Sequence, residues 1–175
     1  AMSVAFGLRR NRLTLLAGVA ALTISTPAWA DATPDCNDGA SAGSTECGTN
    51  STTGGATNAT AVGNGTTATG NDSTAVGVNA VTAAQGGTAV GSNASADLFG
   101  TAIGTQALAG LGGVASGFQA TAQDALSTAL GTQSLATGGS NAIGAQTTAT
   151  GALSNTLGGT STGAGAVSTG FLANA

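Results

Sequence analysis

The chain offers little chemistry. It has two cysteines, Cys36 and Cys47, no histidine, and seven carboxylates against three basic residues, all of them arginine. Without His or Lys, neither a Ser-His-Asp triad nor a Ser-Lys pair can be assembled. Asp72, Asp97 and Asp124 stand alone at dissimilar repeat positions, so no carboxylate pair for acid–base work is in view. The stretch Asp35–Gly39, "DCNDG", has neither the alternating ligands nor the closing Glu of a calcium loop and reads as a polar turn. Gly-rich stretches such as "GGTSTGAG" lack the lysine and the strand–helix setting of a phosphate loop. Neither a cofactor nor a metal is expected, and no enzymatic activity. That leaves the cysteines, with ten residues between them. A zinc site would be half empty with two thiolates and no His. A disulfide is the expected state, within one chain or, alternatively, between two.

The first thirty residues have a role of their own. Arg9, Arg10 and Arg12 precede an apolar run from Leu13 to Ile24, which ends at Ala28-Trp29-Ala30, a small-x-small cleavage site. The run is short for a membrane span, and residues 1–30 read as a secretory signal peptide with the mature chain starting at Asp31. All three cations lie in that leader. The remainder carries seven carboxylates and no cation, a formal charge of −7. Nucleic acid needs cations to displace its counterions, so it is not an expected partner. Anionic lipid is disfavoured for the same reason, and no direct membrane contact is expected from this segment.

The elements that would carry a function are repeats. Ala-apolar-Gly recurs at Ala61-Val62-Gly63, Ala75-Val76-Gly77, Ala89-Val90-Gly91, Ala102-Ile103-Gly104, Ala129-Leu130-Gly131 and Ala142-Ile143-Gly144. Weaker copies end at Gly117 and, as Thr156-Leu157-Gly158, at Gly158. Between successive copies the chain advances thirteen or fourteen residues. An amide follows most of these glycines at the same offset: Asn79, Asn93, Gln106, Gln119, Gln133 and Gln146. From Thr60 a half-period is visible too, as seventeen units of six or seven residues alternating between a regular form and a looser one.

Seven residues suggests a heptad, but each unit has about one large apolar residue and usually a glycine. A coiled-coil seam needs two apolar positions per heptad, and an interior Gly costs about 1 kcal/mol relative to Ala. The period instead predicts an all-β chain, a parallel β-solenoid of 13–14-residue coils in which each unit gives a short strand and a turn. Side chains alternate along a strand, so Thr74 and Val76 share one face and Ala75 takes the other. The expectation is that Val62, Val76, Val90, Ile103, Leu130, Ile143 and Leu157 stack inside as a core ladder. The Ala row would then lie outside, where another chain could approach. Gly63, Gly77, Gly91, Gly104, Gly117, Gly131, Gly144 and Gly158 would form corners. Asn79, Asn93, Gln106, Gln119, Gln133 and Gln146 would form an amide ladder, each bonding its copy in the next coil.

Over roughly Thr60–Ala175 this pattern resembles the head repeats of trimeric autotransporter adhesins, the YadA-like family of Gram-negative bacteria. Their motif has the form Asn-Ser-Val-Ala-Ile-Gly-x-x-Ser. Asp72-Ser73-Thr74-Ala75-Val76-Gly77-Val78-Asn79-Ala80 lies over it, and Asn141-Ala142-Ile143-Gly144 matches its end most closely. The resemblance implies a left-handed parallel β-roll, three chains side by side as a homotrimer. It also implies a non-enzymatic head that attaches bacteria to extracellular matrix proteins, to cells, to surfaces or to one another. No neck, heptad stalk or membrane-anchor strands follow the repeats here. The expectation is an N-terminal piece of a longer adhesin, held at the outer membrane by an anchor beyond Ala175. The alternative is a secreted, extracellular head.

The expected organisation is therefore a signal peptide over 1–30, an N-terminal cap with the disulfide over 31–59, and β-roll repeats over 60–175. Two rival functions remain. One is an ice- or crystal-binding solenoid, favoured if the Thr residues that open many units faced outward. The other is a self-assembling extracellular matrix fibre fed by open coil ends.

Overall fold

The computed structural model describes residues 36–39, 41–170 and 174. The expected signal peptide and its expected cleavage site lie outside the described residues. The rest is all β. Ten three-residue strands, from Thr45–Cys47 through Thr60–Val62, Thr74–Val76 and Thr88–Val90 to Val167–Thr169, pair in parallel as one wide sheet. Eight two-residue strands, from Thr67–Ala68 to Thr160–Ser161, pair in parallel as a narrow sheet. Isolated bridges Thr52–Thr67 and Thr160–Asn174 lengthen that sheet at both ends. The chain alternates between the sheets, which makes a β-solenoid of about nine turns.

Register is kept coil by coil. Thr60, Ala61 and Val62 pair with Thr74, Ala75 and Val76, which pair in turn with Thr88, Ala89 and Val90. Backbone amides at the corners continue the ladder: Thr74 N donates to the Gly87 carbonyl at 2.9 Å, and Gly77 N to the Val62 carbonyl at 2.8 Å. Each coil thus satisfies the backbone of the next, and this, more than side-chain burial, makes strands of two or three residues tenable.

The interior differs from the sequence expectation. Thr74 and Val76 do share a face, but it is the outer one. Ala61, Ala75, Ala89, Ala102, Ala115, Ala129 and Ala142 are fully buried. Val62, Val76 and Leu130 are only partly covered. Val90, Ile103, Ile143 and Leu157 are 36–56% exposed. The expected core ladder is therefore an outer ladder, and the Ala row expected outside is the core. The narrow sheet and the corners complete the interior with Ala, Ser, Thr and Gly, and Thr is the largest fully buried side chain. A coil of about fourteen residues with two tight corners encloses room for a methyl or hydroxymethyl group from each side. A branched side chain there would overpack it.

At the N-terminal end the first wide strand, Thr45–Cys47, lies within the segment expected to be the cap, so coiling starts earlier than the repeat pattern suggests. Its free edge is covered by the antiparallel strand Asn37–Asp38. Cys36 and Cys47 are joined by a disulfide within the chain, with their Cα atoms 4.2 Å apart. Glu46 occupies the column that Ala61 and Ala75 continue. Its Oε1 accepts from Thr53 N at 2.6 Å and from Thr53 Oγ1 at 2.8 Å. An inward carboxylate with a covered edge is a known means of blocking strand addition.

Candidate functional site

In a regular solenoid the candidate sites are its outer surfaces, and four rows run along the coil axis. On the wide sheet, the first strand position gives Thr45, Thr60, Thr74, Thr88 and Thr101 in unbroken register, followed by Val114, Thr128, Asn141, Asn155 and Val167. The third position gives the apolar row Val62, Val76, Val90 and Ile103, then Ser116, Leu130, Ile143 and Leu157. Both point away from the alanine core. Toward the C-terminal end the two rows bound a shallow apolar groove between Ile143, Leu157 and Val167. An exposed aliphatic row of this length is a feature of surfaces that are covered in an assembly.

The third row is the corner that follows each wide strand. Its glycines are required by geometry: Gly77 has φ 132°, and a Cβ there would lie 2.5 Å from the Gly91 carbonyl oxygen. The amides predicted as a ladder sit two residues beyond the glycine. Asn79, Asn93, Gln106, Gln119, Gln133 and Gln146 all have φ between 54° and 59°. Three of them bond as a ladder. Gln119 Nε2 donates to Gln106 Oε1 at 2.9 Å, and Gln133 Nε2 donates to Gln119 Oε1 at 3.2 Å. Asn93 departs from the expectation, since its Nδ2 donates instead to Ser92 Oγ at 3.1 Å. The demand common to all six positions is a left-handed backbone, which Asn tolerates better than most residues.

The fourth row, on the opposite corner, has no counterpart in the sequence reading. Its left-handed position is filled by Asn58, Asp72, Gly86, Phe99, Gly112, Leu126, Gly139, Leu153 and Gly165. The first part is polar: Asn58 Nδ2 donates to Asp72 Oδ1 at 3.0 Å, and Thr57 N to Asn71 Oδ1 at 3.0 Å. From Phe99 on, bulky apolar residues alternate with glycine. Asp97 and Asp124, read as unrelated positions, each stand two residues before one of these bulky residues, two coils apart. The twofold alternation within the loose half-units was the signal that could have revealed this.

Among the described residues no group of three or more His, Cys, Asp or Glu side chains is placed to hold a metal ion. No helix among them is long and apolar enough to cross a membrane. What the rows offer is contact area repeated at about 4.8 Å per coil.

No curated protein matches the chain significantly. A family model does, the YadA head domain repeat in its two-copy form, at residues 55–80, 68–94 and 109–134. Those segments lie within the regular coils, and the family is of an adhesin type. The parallel solenoid, the corner glycines and these matches together support a YadA-like head domain over residues 55–134.

Proposed function

We propose that this chain is the head of a trimeric autotransporter-type adhesin, exported by its first thirty residues. On this reading it is displayed at the bacterial surface, where it attaches the cell to matrix proteins, other cells or abiotic surfaces and promotes self-aggregation. Residues 31–59 would form its N-terminal cap and 60–175 its repeats, with virulence as the setting. The observation that carries the reading is the outward row of Val76, Val90, Ile103, Ile143 and Leu157 on a solenoid of YadA-like repeats. Such a row supports side-by-side association of three parallel copies through the wide sheet. The copies would meet there, and not through the alanines, which are spent on each chain's own core. The remaining corners and narrow sheets would then face outward as a repetitive attachment surface. Beads coated with the chain should adhere to matrix-coated, cell-covered or bare surfaces well above beads coated with an unrelated acidic protein. Equal adhesion of the two would refute the attachment role.

A second reading is favoured by one observation. Thr45, Thr60, Thr74, Thr88 and Thr101 form an outward threonine file in register on the wide sheet. Such a file fits an ice- or crystal-binding face. It competes with assembly for the same sheet, and its breaks at Val114, Asn141 and Asn155 weaken it. Thermal hysteresis of the purified chain would favour this reading over attachment.

A further inference from the structure

The corner opposite the amide ladder carries an exposed apolar ridge that the chain's own fold does not explain. Phe99, Leu126 and Leu153 have φ of 56°, 59° and 56°. They are 60%, 74% and 71% exposed. A bulky residue is disfavoured at that φ, and so much exposure forgoes most of the gain from burial. The equivalent position of the other corner, at a similar φ, is given to Gly65 or to Asn and Gln. The alternation with glycine makes the ridge continuous. A Cβ on Gly86 would lie 2.6 Å from the Phe99 ring, and one on Gly112 would lie 3.1 Å from Leu126 Cδ2. Each bulky side chain thus leans over the glycine of the preceding coil, and three residues cover the corner of about six coils. Leu98 and Leu111, also exposed, widen the strip.

The ridge is flanked by charge of one sign. Asp97 and Asp124 are exposed two residues before Phe99 and Leu126, and Asp72 stands in line at the N-terminal end. Asp124 Oδ2 accepts from Gly138 N at 2.8 Å, which holds that carboxylate at this corner. From Leu13 onward the chain has no cation to pair with them. A second copy would bring only more carboxylates, so charge complementarity points away from self-association here.

We infer that the ridge of Phe99, Leu126 and Leu153 is a docking strip for a protein segment that presents apolar side chains interspersed with Lys or Arg. The apolar groups would cover the ridge, and the cations would meet Asp97 and Asp124. This deepens the attachment reading and rests on it, because it names the class of partner that such a head would hold.

The test uses the full-length chain and labelled synthetic peptides of alternating leucine and lysine, leucine and glutamate, or serine and lysine. The leucine–lysine peptide should bind saturably and the other two should not. The variant Phe99→Asn/Leu126→Asn/Leu153→Asn puts a residue tolerant of this φ at each position, so it should melt no lower than the parent. It should bind the leucine–lysine peptide about ten-fold or more weakly. Asp97→Asn/Asp124→Asn should weaken binding too and reduce its salt sensitivity. Three results would overturn the inference: no binding to the parent, binding unchanged in the triple Asn variant, or a change in oligomeric mass in that variant, which would assign the ridge to contact between copies. Bead adhesion separates this from the attachment reading. A parent chain that binds the peptide in a ridge-dependent way yet coats no surface supports the ridge and contradicts attachment. One whose adhesion is intact but whose peptide binding ignores the ridge does the reverse.

Discussion

The wide-strand alanines are the tightest positions in the molecule, because each methyl faces a space with no slack. Ala102→Val adds two methyl groups to that space and should destabilise the fold by about 1–3 kcal/mol, read as a lower urea midpoint. Its neighbour Ile103 points outward, and Ile103→Val should change the unfolding free energy of the unassembled chain by no more than about 0.5 kcal/mol. The opposite pattern would place the branched residues inside after all. Ser154 presents a buried hydroxyl with no hydrogen-bond partner among the described residues. An unsatisfied buried hydroxyl costs about 1–3 kcal/mol, so Ser154→Ala should leave the melting temperature unchanged or raise it. The alternation of Thr, Ala and Val was legible in the sequence, but its sign was not. In an ordinary globular core the largest apolar residue of such an alternation goes inside, but here the interior has no room for it. The chain held a better signal, since the repeat position that stays Ala from Ala61 to Ala142 is the constrained one. The position that drifts through Val, Ile, Ser and Leu is the free one.

At the scale of elements, corners and cap set the limits. Gly77 combines φ 132° with a backbone oxygen 2.5 Å from where a Cβ would lie. Gly77→Ala must therefore move two coils apart or rebuild the corner, and a loss of about 1–3 kcal/mol is expected in thermal unfolding. These glycines were legible because a glycine at fixed spacing has few other uses. The amides were legible as a row but only partly as a ladder, because the backbone's left-handed turn selects them before any bond between side chains does. The apolar corner was not legible. Phe99, Leu126 and Leu153 recur every two coils, twice the period of the Ala-apolar-Gly signature. The disulfide was legible in its two cysteines, but the coil beside it was not, since "TEC" at Thr45–Cys47 has no Ala at the inward position. Cys36→Ser/Cys47→Ser removes a short covalent loop worth about 2–3 kcal/mol. It should raise hydrogen exchange at Thr45–Cys47 before it affects Thr88–Val90. Uniform exchange along the coils would contradict a local role for the disulfide.

The described coils form a solenoid whose sides differ: a wide sheet with files of threonine and aliphatic residues, a narrow sheet, an amide corner and an apolar, acidic corner. A solenoid with so thin a core gains by covering its aliphatic row, and from Val62 to Leu157 every coil but the one with Ser116 contributes a residue to that row. Association is therefore the claim on which the account of the molecule turns. Sedimentation equilibrium of the purified chain tests it most directly. The parent is expected to have a mass of three chains, and Ile103→Ser/Ile143→Ser a mass of one. A parent chain that remains a stable monomer across the concentration range would contradict it.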